Sequence, residues 1–202
     1  MPDRNTSFNK SAAHLADYKE LYEPARSNNF EFIVTDIDNI LSAGTNFNDA
    51  QDSDYIKDGQ DVIRISVAEA SVPHFSLGTI EIARGNSRVK FAGVPTFDSG
   101  TLVLNDYIGA RTKDALMAWQ ALAYDVVSEK VHWSYNYKKD CQLIEYTPDY
   151  EQIIRIWDLK GCWVSAVSEG NFSADSNEKR TVSATIVYDK AIPHKEDEIV
   201  TM

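Results

Sequence analysis

The sequence predicts a mainly β protein, an antiparallel β-sandwich or barrel with one flanking α-helix. About eight segments alternate apolar and polar residues, as half-buried strands do. One segment in the body of the chain has convincing helical periodicity. Strands precede and follow it without βαβ alternation, and this order favours antiparallel sheets packed as layers.

Two strands are predicted before Pro73. Residues 30–35 (FEFIVT) alternate aromatic or aliphatic residues with polar ones. Residues 61–72 (DVIRISVAEASV) alternate in the same way, with Ile63, Ile65 and Val67 on one face. Both segments are therefore assigned to the sheet.

A β-hairpin is predicted from residues 79–83 and 88–92, because the Gly-Asn pair between them tolerates positive φ. The hairpin register places Glu81 across from Arg88 or Lys90 as a cross-strand charge pair. The same register puts four apolar residues on one face: Ile80, Ile82, Val89 and Phe91.

The predicted helix covers residues 112–127, with Thr112 as its N-cap. Its apolar stripe consists of Leu116, Trp119, Ala123 and Val126. The remaining predicted strands are residues 101–104, 141–146, 152–159, 162–169 and 180–188.

The chain divides into an N-terminal arm (1–29), a β domain (30–193) and an acidic C-terminal tail (194–202). Within the domain, residues 42–60 form a long polar loop, and loops of this length are commonly functional.

The 202 residues carry a net charge of −11 and 43% hydrophobic residues, which suits one domain with a real core. No apolar run approaches the roughly 20 residues that cross a bilayer, so membrane insertion is not expected. The acidic balance argues against a surface that grips nucleic acid, but it suits a surface past which nucleic acid slides.

No local pattern points to catalysis, a cofactor or a metal. The four histidines lack metal-ligand spacing, and the acidic 42–60 loop lacks the residue order of an EF-hand. Cys141 and Cys162 are interpreted as free thiols, with a disulfide left open. The alternative from another class is a small β-barrel ligand-binding module or hydrolase with Asp36, Asp38 and His74 around a pocket.

The order of elements resembles the tail tube proteins of contractile-tailed bacteriophages. Residues 78–108 contain the hairpin, Gly93-Val94-Pro95, Phe97 and a strand ending in Asp106-Tyr107, and a helix with Trp119 at its middle follows. Residues 161–193 are similar to the closing hairpin of that family. The resemblance covers roughly residues 30–193 and extends to the haemolysin-coregulated secretion tube proteins, which share the fold.

This resemblance implies a virion structural protein without enzymatic activity. Such subunits form hexameric rings that stack into a tube inside a contractile sheath, with strands of neighbours joined around the lumen. The implied partners are other copies of the chain, the tail sheath protein, the baseplate and tail terminator proteins, and the tape-measure protein and viral DNA in the channel. The implied location is the virion tail, assembled in the host cytoplasm; a baseplate tube initiator and a secretion-system tube remain alternatives.

Two sets of site residues follow from this hypothesis. The candidates for the lumen surface are Glu69, Glu81 and Glu169. The candidates for an inter-ring loop are Asn46, Phe47, Asp52, Asp54 and Tyr55.

Deleting residues 44–56 is expected to leave a folded subunit that no longer makes long tubes, because this loop would bridge successive rings. Negative-stain electron microscopy of the purified variant checks this, and tubes of unchanged length would contradict it.

Overall fold

A computed structural model of the chain describes residues 24–37, 59–108, 111–170, 173, 175 and 177–195. The N-terminal arm up to residue 23, the loop from 38 to 58 and the tail after 195 lie outside the described residues. The strands are β1 (Phe30–Val34), β2 (Val67–Ala70), β3 (Phe75–Arg84), β4 (Ser87–Phe97), β5 (Gly100–Asn105), β6 (Tyr124–Asp125), β7 (Lys130–Val131), β8 (Lys139–Tyr146), β9 (Ile153–Glu169), β10 (Thr181–Val187) and β11 (Lys190–Lys195). The helices are α1 (Gly59–Ser66), α2 (Thr112–Ala121) and α3 (Ser134–Tyr137).

The main sheet has the strand order β1-β8-β9-β10-β5-β2, and β11 pairs with β9 as a branch. Every pairing in it is antiparallel, which confirms the predicted mainly β class with antiparallel sheets. The two end strands, β1 and β2, lie near each other without pairing, so the sheet described here is open rather than a closed barrel.

Strand β9 belongs to both layers of the sandwich. Its first half pairs with β8 and β11, and its second half pairs with β10. Between the halves, Gly161 has a φ of 69°, in the left-handed region that favours glycine. The sequence predicted two strands here, over 152–159 and 162–169; the chain instead forms one strand of 17 residues.

The core lies between the two layers and is closed along one side by α2. Trp119 is fully buried, and its Nε1 donates a hydrogen bond to the Tyr137 carbonyl at 3.0 Å. The next residue, Gln120, donates from Nε2 to the Ser165 carbonyl of β9 at 3.2 Å. The predicted flanking helix is therefore confirmed, and it covers the edge of the second half of β9.

The strand predicted over 61–72 is wrong. Residues 59–66 form α1, and only Val67–Ala70 is extended. Val62 and Ile63 enter the core while Ile65 is 74% exposed, which is helical spacing. The β-branched residues favour a strand locally, but burial against β1 and α2 decides for a helix.

The helix is shorter than the predicted range 112–127, and Thr112 is not its N-cap. It ends at Ala121, and Val126, assigned to its stripe, is 78% exposed in the turn between β6 and β7. The Asp125 carboxylate accepts hydrogen bonds from the Val127 N–H and the Ser128 hydroxyl, which favours a turn over a helix. Thr112 does not cap α2, because its buried hydroxyl hydrogen-bonds Ser66 Oγ at 3.1 Å.

The other predicted strands are confirmed with shifted ends. In the first, Phe32 and Val34 are buried on one face as the alternation indicated. At the C-terminus, the chain expected to leave the domain at residue 193 continues in β11 to Lys195. The division into arm, domain and tail otherwise stays a prediction.

Replacing Gly161 by alanine is expected to destabilise the subunit more than replacing Gly85. Both glycines have positive φ, which costs an L-residue about 1–2 kcal/mol. A methyl group at Gly161 would also meet Asp189, whose carboxylate binds Lys138 Nζ at 2.7 Å, whereas nothing lies within 4 Å at Gly85. Thermal unfolding of both variants checks this, and equal losses would show that the contact is unimportant.

Candidate assembly surface

The strands β2 to β5 form two halves of one long hairpin. The proximal half, β2 with β5, lies in the main sheet, and the distal half, β3 with β4, pairs only with itself among the described strands. The two halves meet at a hinge where the Asp98 N–H donates to the His74 carbonyl and His74 Nε2 lies 3.3 Å from Asp98 Oδ2. Beyond this hinge the hairpin leaves the sandwich.

The distal hairpin is exposed along its whole length. Every residue of β3 is exposed, and in β4 only Gly93 and Phe97 are partly covered. Its apolar side chains remain in water even though a folded chain normally covers such a cluster. We call four of them, which are 43–53% exposed, the distal patch: Ile80, Ile82, Val89 and Phe91.

A glycine crossing separates the distal patch from the root of the hairpin. At the root, Phe75 pairs with Phe97, which packs edge-to-face against Tyr188 of the domain at 6.3 Å between ring centroids. The register shifts after Leu77, where a Cβ on Gly93 would lie 2.9 Å from the backbone of the other strand. On β3 the apolar residues are at odd positions before this point and at even positions after it. Because side chains alternate between the two faces of a strand, the distal patch lies on the face opposite to that of the root's apolar residues.

The other face of the distal hairpin is charged. Glu81 forms ion pairs with Arg88 at 3.2 Å and with Lys90 at 3.3 Å, which confirms the predicted pairing. With Arg84, residues 75–97 contain three basic side chains and one acidic one, a net charge of +2 in a chain of −11. The hairpin therefore has a positive net charge, whereas the chain as a whole is acidic.

The layer formed by β9, β10, β5 and β2 has a polar outer face. Its inner face supplies core residues such as Leu102, Val182 and Ala184. The alternate residues of β10, β5, β2 and the second half of β9 point outward and include no lysine or arginine, whereas Arg155 and Lys160 lie in the first half of β9, in the other layer. Those with hydroxyl groups are Thr101, Ser168, Thr181, Ser183 and Thr185.

The open end of the sheet contains a groove, which we call the β1–β2 groove, with a volume of about 830 Å³. Helix α1 lies against β1 beside it. At that side, Glu31 accepts hydrogen bonds from Arg64 Nε and, at 2.9 Å, from the Tyr146 hydroxyl. Burial acts to raise the pKa of Glu31, but these hydrogen bonds outweigh it and hold the pKa below its ordinary value.

The three carboxylates predicted for the lumen surface lie in three different places. Glu69 is exposed on the outer face of the edge strand β2, and Glu81 is on the distal hairpin. Glu169 ends β9, where ion pairs with Lys113 and then Arg180 lower its pKa. The five residues predicted for the inter-ring loop, from Asn46 to Tyr55, lie outside the described residues.

The residues of the alternative pocket are not gathered into a site. His74 contacts Asp98 at the hinge, Asp36 follows β1 with a φ of 59°, and Asp38 is not among the described residues. In the described part of the chain, no three His, Cys, Asp or Glu residues are placed to hold a metal ion. No helix there is long and apolar enough to cross a membrane.

Cys141 and Cys162 are free, buried thiols on adjacent strands. Burial, followed by the neighbouring Cys162 thiol, raises the pKa of Cys141 well above its ordinary value. Both cysteines therefore act as small apolar core residues here.

The chain is an open antiparallel sandwich with an exposed hairpin that is apolar on one face and charged on the other. These features are typical of a structural subunit. Residues 28–191 match the model of the T4-like virus tail tube protein gp19 family, and the chain belongs to that family. It is therefore a non-enzymatic structural protein, a tail tube component of a phage or contractile injection particle.

Three solved structures have a fold similar to that of this chain. A chain of the sheath–tube complex of an extracellular contractile injection system in its extended state matches with a TM-score of 0.59 and 18% identity, over 92% of this chain and 98% of that one. A chain from the tube-terminating cap of the anti-feeding prophage matches with a TM-score of 0.61 and 17% identity, over 86% and 92%. A chain of the sheath/tube terminator matches with a TM-score of 0.60 and 18% identity, over 86% and 99%. No curated protein matches the sequence.

The sequence predicted the hairpin but not that it projects from the sandwich and stays exposed. The alternation of residues 79–92 predicted its faces correctly. The additional signal was the apolar sequence before and after the predicted hairpin, including Phe75, Leu77 and Val94. These residues extend the hairpin beyond the length that a small sandwich can cover.

Acidification is expected to destabilise the subunit partly through Glu31. Because its folded pKa lies below its unfolded value, the stabilisation is present above the unfolded pKa and is lost as pH falls through the folded pKa. The thermal midpoint should fall between about pH 5 and pH 3, and less steeply in Glu31→Gln. Glu151→Gln, at an exposed site, is the control; an unchanged slope in Glu31→Gln would contradict the expectation.

Proposed function

We propose that this chain is the tail tube subunit that forms hexameric rings and stacks them into a tube, with the distal hairpin joining one copy to the next. The distal patch is the observation that carries this proposal. Four apolar side chains on one face of the hairpin, 43–53% exposed, lose water only when another surface covers them. Membership of the tail tube family supports a second copy as that surface.

The open strand edges support the same proposal. Strands β1 and β2 end the sheet, and the hairpin strands β3 and β4 each have an outer edge without a partner among the described strands. Such edges promote uncontrolled aggregation unless defined partners pair with them. A closed ring satisfies each edge with a neighbouring copy and stops growth at a fixed number of subunits.

The outer face of the β9-β10-β5-β2 layer would line the channel. Its hydroxyl side chains interact well with water, and the strands present no lysine or arginine there to neutralise phosphates. Of the three carboxylates considered for the lumen, we place Glu69 at this surface. With a chain charge of −11, viral DNA would pass without adhering, and the tape-measure protein would occupy the same channel before it.

The remaining partners follow from the structural relatives. A sheath–tube complex, a terminator and a cap contain chains of this fold, which supports sheath and terminator partners. A baseplate partner and assembly of a virion tail in the host cytoplasm belong to the same proposal. The arm 1–29 and the 42–60 loop, with Asn46, Phe47, Asp52, Asp54 and Tyr55, are kept as proposed inter-ring contacts. The two alternative functions, a baseplate tube initiator and a secretion-system tube, would have the same channel. Observation of long tubes inside a sheath would distinguish a tail tube subunit from an initiator.

Replacing Ile82 and Phe91 together by aspartate is expected to abolish rings and tubes without unfolding the subunit. The side chains lie on an exposed ribbon, so the new charges cost little in the monomer but would be buried without partners in the assembly. Electron microscopy and sedimentation measure assembly, and circular dichroism measures folding.

Ile65→Asp is the matched control, because Ile65 is an exposed isoleucine on α1, outside the hairpin. It should assemble like the parent chain. Tubes of normal length from the Ile82→Asp/Phe91→Asp variant would refute the role of the distal patch.

A further inference from the structure

We infer that residues 11–22 of the N-terminal arm form a helix that docks in the β1–β2 groove of the same subunit. This contact would complete the open end of the sandwich within one chain, before copies assemble. Residues 1–10, which precede the helix, would remain available for the proposed inter-ring contact. The inference therefore goes beyond the proposed function and does not depend on it.

The β1–β2 groove is an opening into the hydrophobic core. Phe30, Val67 and Ala70 line the groove and also pack against the core residues. Two further lining residues are partly in water: Val72 is 55% exposed and Ile154 is 38% exposed. An apolar segment placed here would extend the core and release water from both surfaces.

The arm contains an amphipathic sequence that suits such a groove. Within residues 11–22 (SAAHLADYKELY), Leu15, Tyr18 and Tyr22 have the spacing i, i+3, i+7 and therefore share one face of a predicted helix. Glu20 falls on the opposite face. Tyrosine suits the margin of an apolar groove, because its ring is apolar and its hydroxyl can remain in water.

The predicted helix needs a partner in order to be stable. Twelve helical residues span about 18 Å, and an isolated helix of this length is marginal in water. The apolar face formed by Leu15, Tyr18 and Tyr22 supplies stability only when another apolar surface covers it. The helix and the groove therefore have complementary requirements.

The arm enters the described part of the chain at the groove itself. Ala25 lines the groove, and Tyr22 precedes it by three residues, so Tyr22 lies within roughly 11 Å of this wall in any backbone conformation. Asn29 holds the wall at the end of β8, because its side chain donates to the Thr147 carbonyl and its own carbonyl accepts the Tyr146 N–H, both at 2.9 Å. The starting point of the arm is thus fixed beside the groove.

Reach, rather than charge, selects this occupant. The charged residues of the groove lining include both signs, and one pair of them, Arg64 and Glu31, is already joined as an ion pair. The others are Arg26, Glu69 and Glu145. This mixed lining favours neither a basic nor an acidic partner. A tethered segment, however, is present at the groove at a roughly millimolar effective concentration, whereas a second copy loses its translational freedom on binding.

Thiol labelling of the groove tests the docking in unassembled subunits, so the result is independent of tube formation. Val72→Cys places a thiol in the groove, while the native cysteines are buried. With the parent arm, this thiol should react with a maleimide about tenfold more slowly than it does when Leu15→Asp/Tyr22→Asp is added, because the charged face cannot enter an apolar site.

Ala13→Asp/Ala16→Asp is the matched arm control, because it adds the same two charges to the opposite face of the predicted helix. It should leave the labelling of Val72→Cys slow. A thiol placed outside the groove by Val131→Cys, at an exposed valine of β7, should react equally fast with every arm sequence. Labelling of Val72→Cys at one rate with all three arms would overturn the inference.

Far-ultraviolet circular dichroism gives a second measurement on the same subunits. The Leu15→Asp/Tyr22→Asp variant should lose the signal of about twelve helical residues, because the undocked helix is marginal. The Ala13→Asp/Ala16→Asp control should keep most of that signal. Equal helix content in the two variants would show that the helix does not depend on its apolar face, and docking would be refuted.

Discussion

The bend of β9 at Gly161 is the constraint on which the rest of the structure depends. One strand of 17 residues serves both layers, so its two halves set the direction of every strand that pairs with them. The positive φ of 69° allows the turn without a Cβ penalty, and the Asp189 carboxylate occupies the space that a side chain would need. Strands β10 and β11 then follow one edge of β9, and β8 and α2 cover the other.

This arrangement leaves the sandwich covered on one side and open on the other. Helix α2 closes the first side with Trp119, a large ring whose N–H finds the Tyr137 carbonyl inside the core. On the second side, the described residues contribute the short helix α1, and among them a groove remains between β1 and β2. The subunit is stable through its core and retains an unfinished sheet for contacts with other chains.

The hairpin shows how one ribbon combines two packing environments. Its root contacts the domain through Phe97, and its distal half carries apolar residues on the other face after the Gly78–Gly93 crossing. An isolated two-stranded ribbon is marginally stable in water. Cross-strand ion pairs on one face support it in the free subunit, and in the proposed assembly the apolar face would gain its burial.

The sequence by itself determined the mainly β class and the central helix around Trp119. It also determined the hairpin register, in which Ile80 pairs with Phe91 and Glu81 pairs with Lys90. These features depend on short-range periodicity and turn residues, which the chain carries locally. Only the tertiary structure decided that residues 59–66 are helical, that β9 is continuous and that α2 ends at Ala121. Two kinds of interaction outweigh local propensity in these cases. One is burial against residues that are distant in the chain, and the other is a hydrogen bond from a side chain to the backbone of a nearby residue. The β1–β2 groove could not be predicted for the same reason, because it exists only where two strands separated in the chain by residues 35–66 lie near each other without pairing.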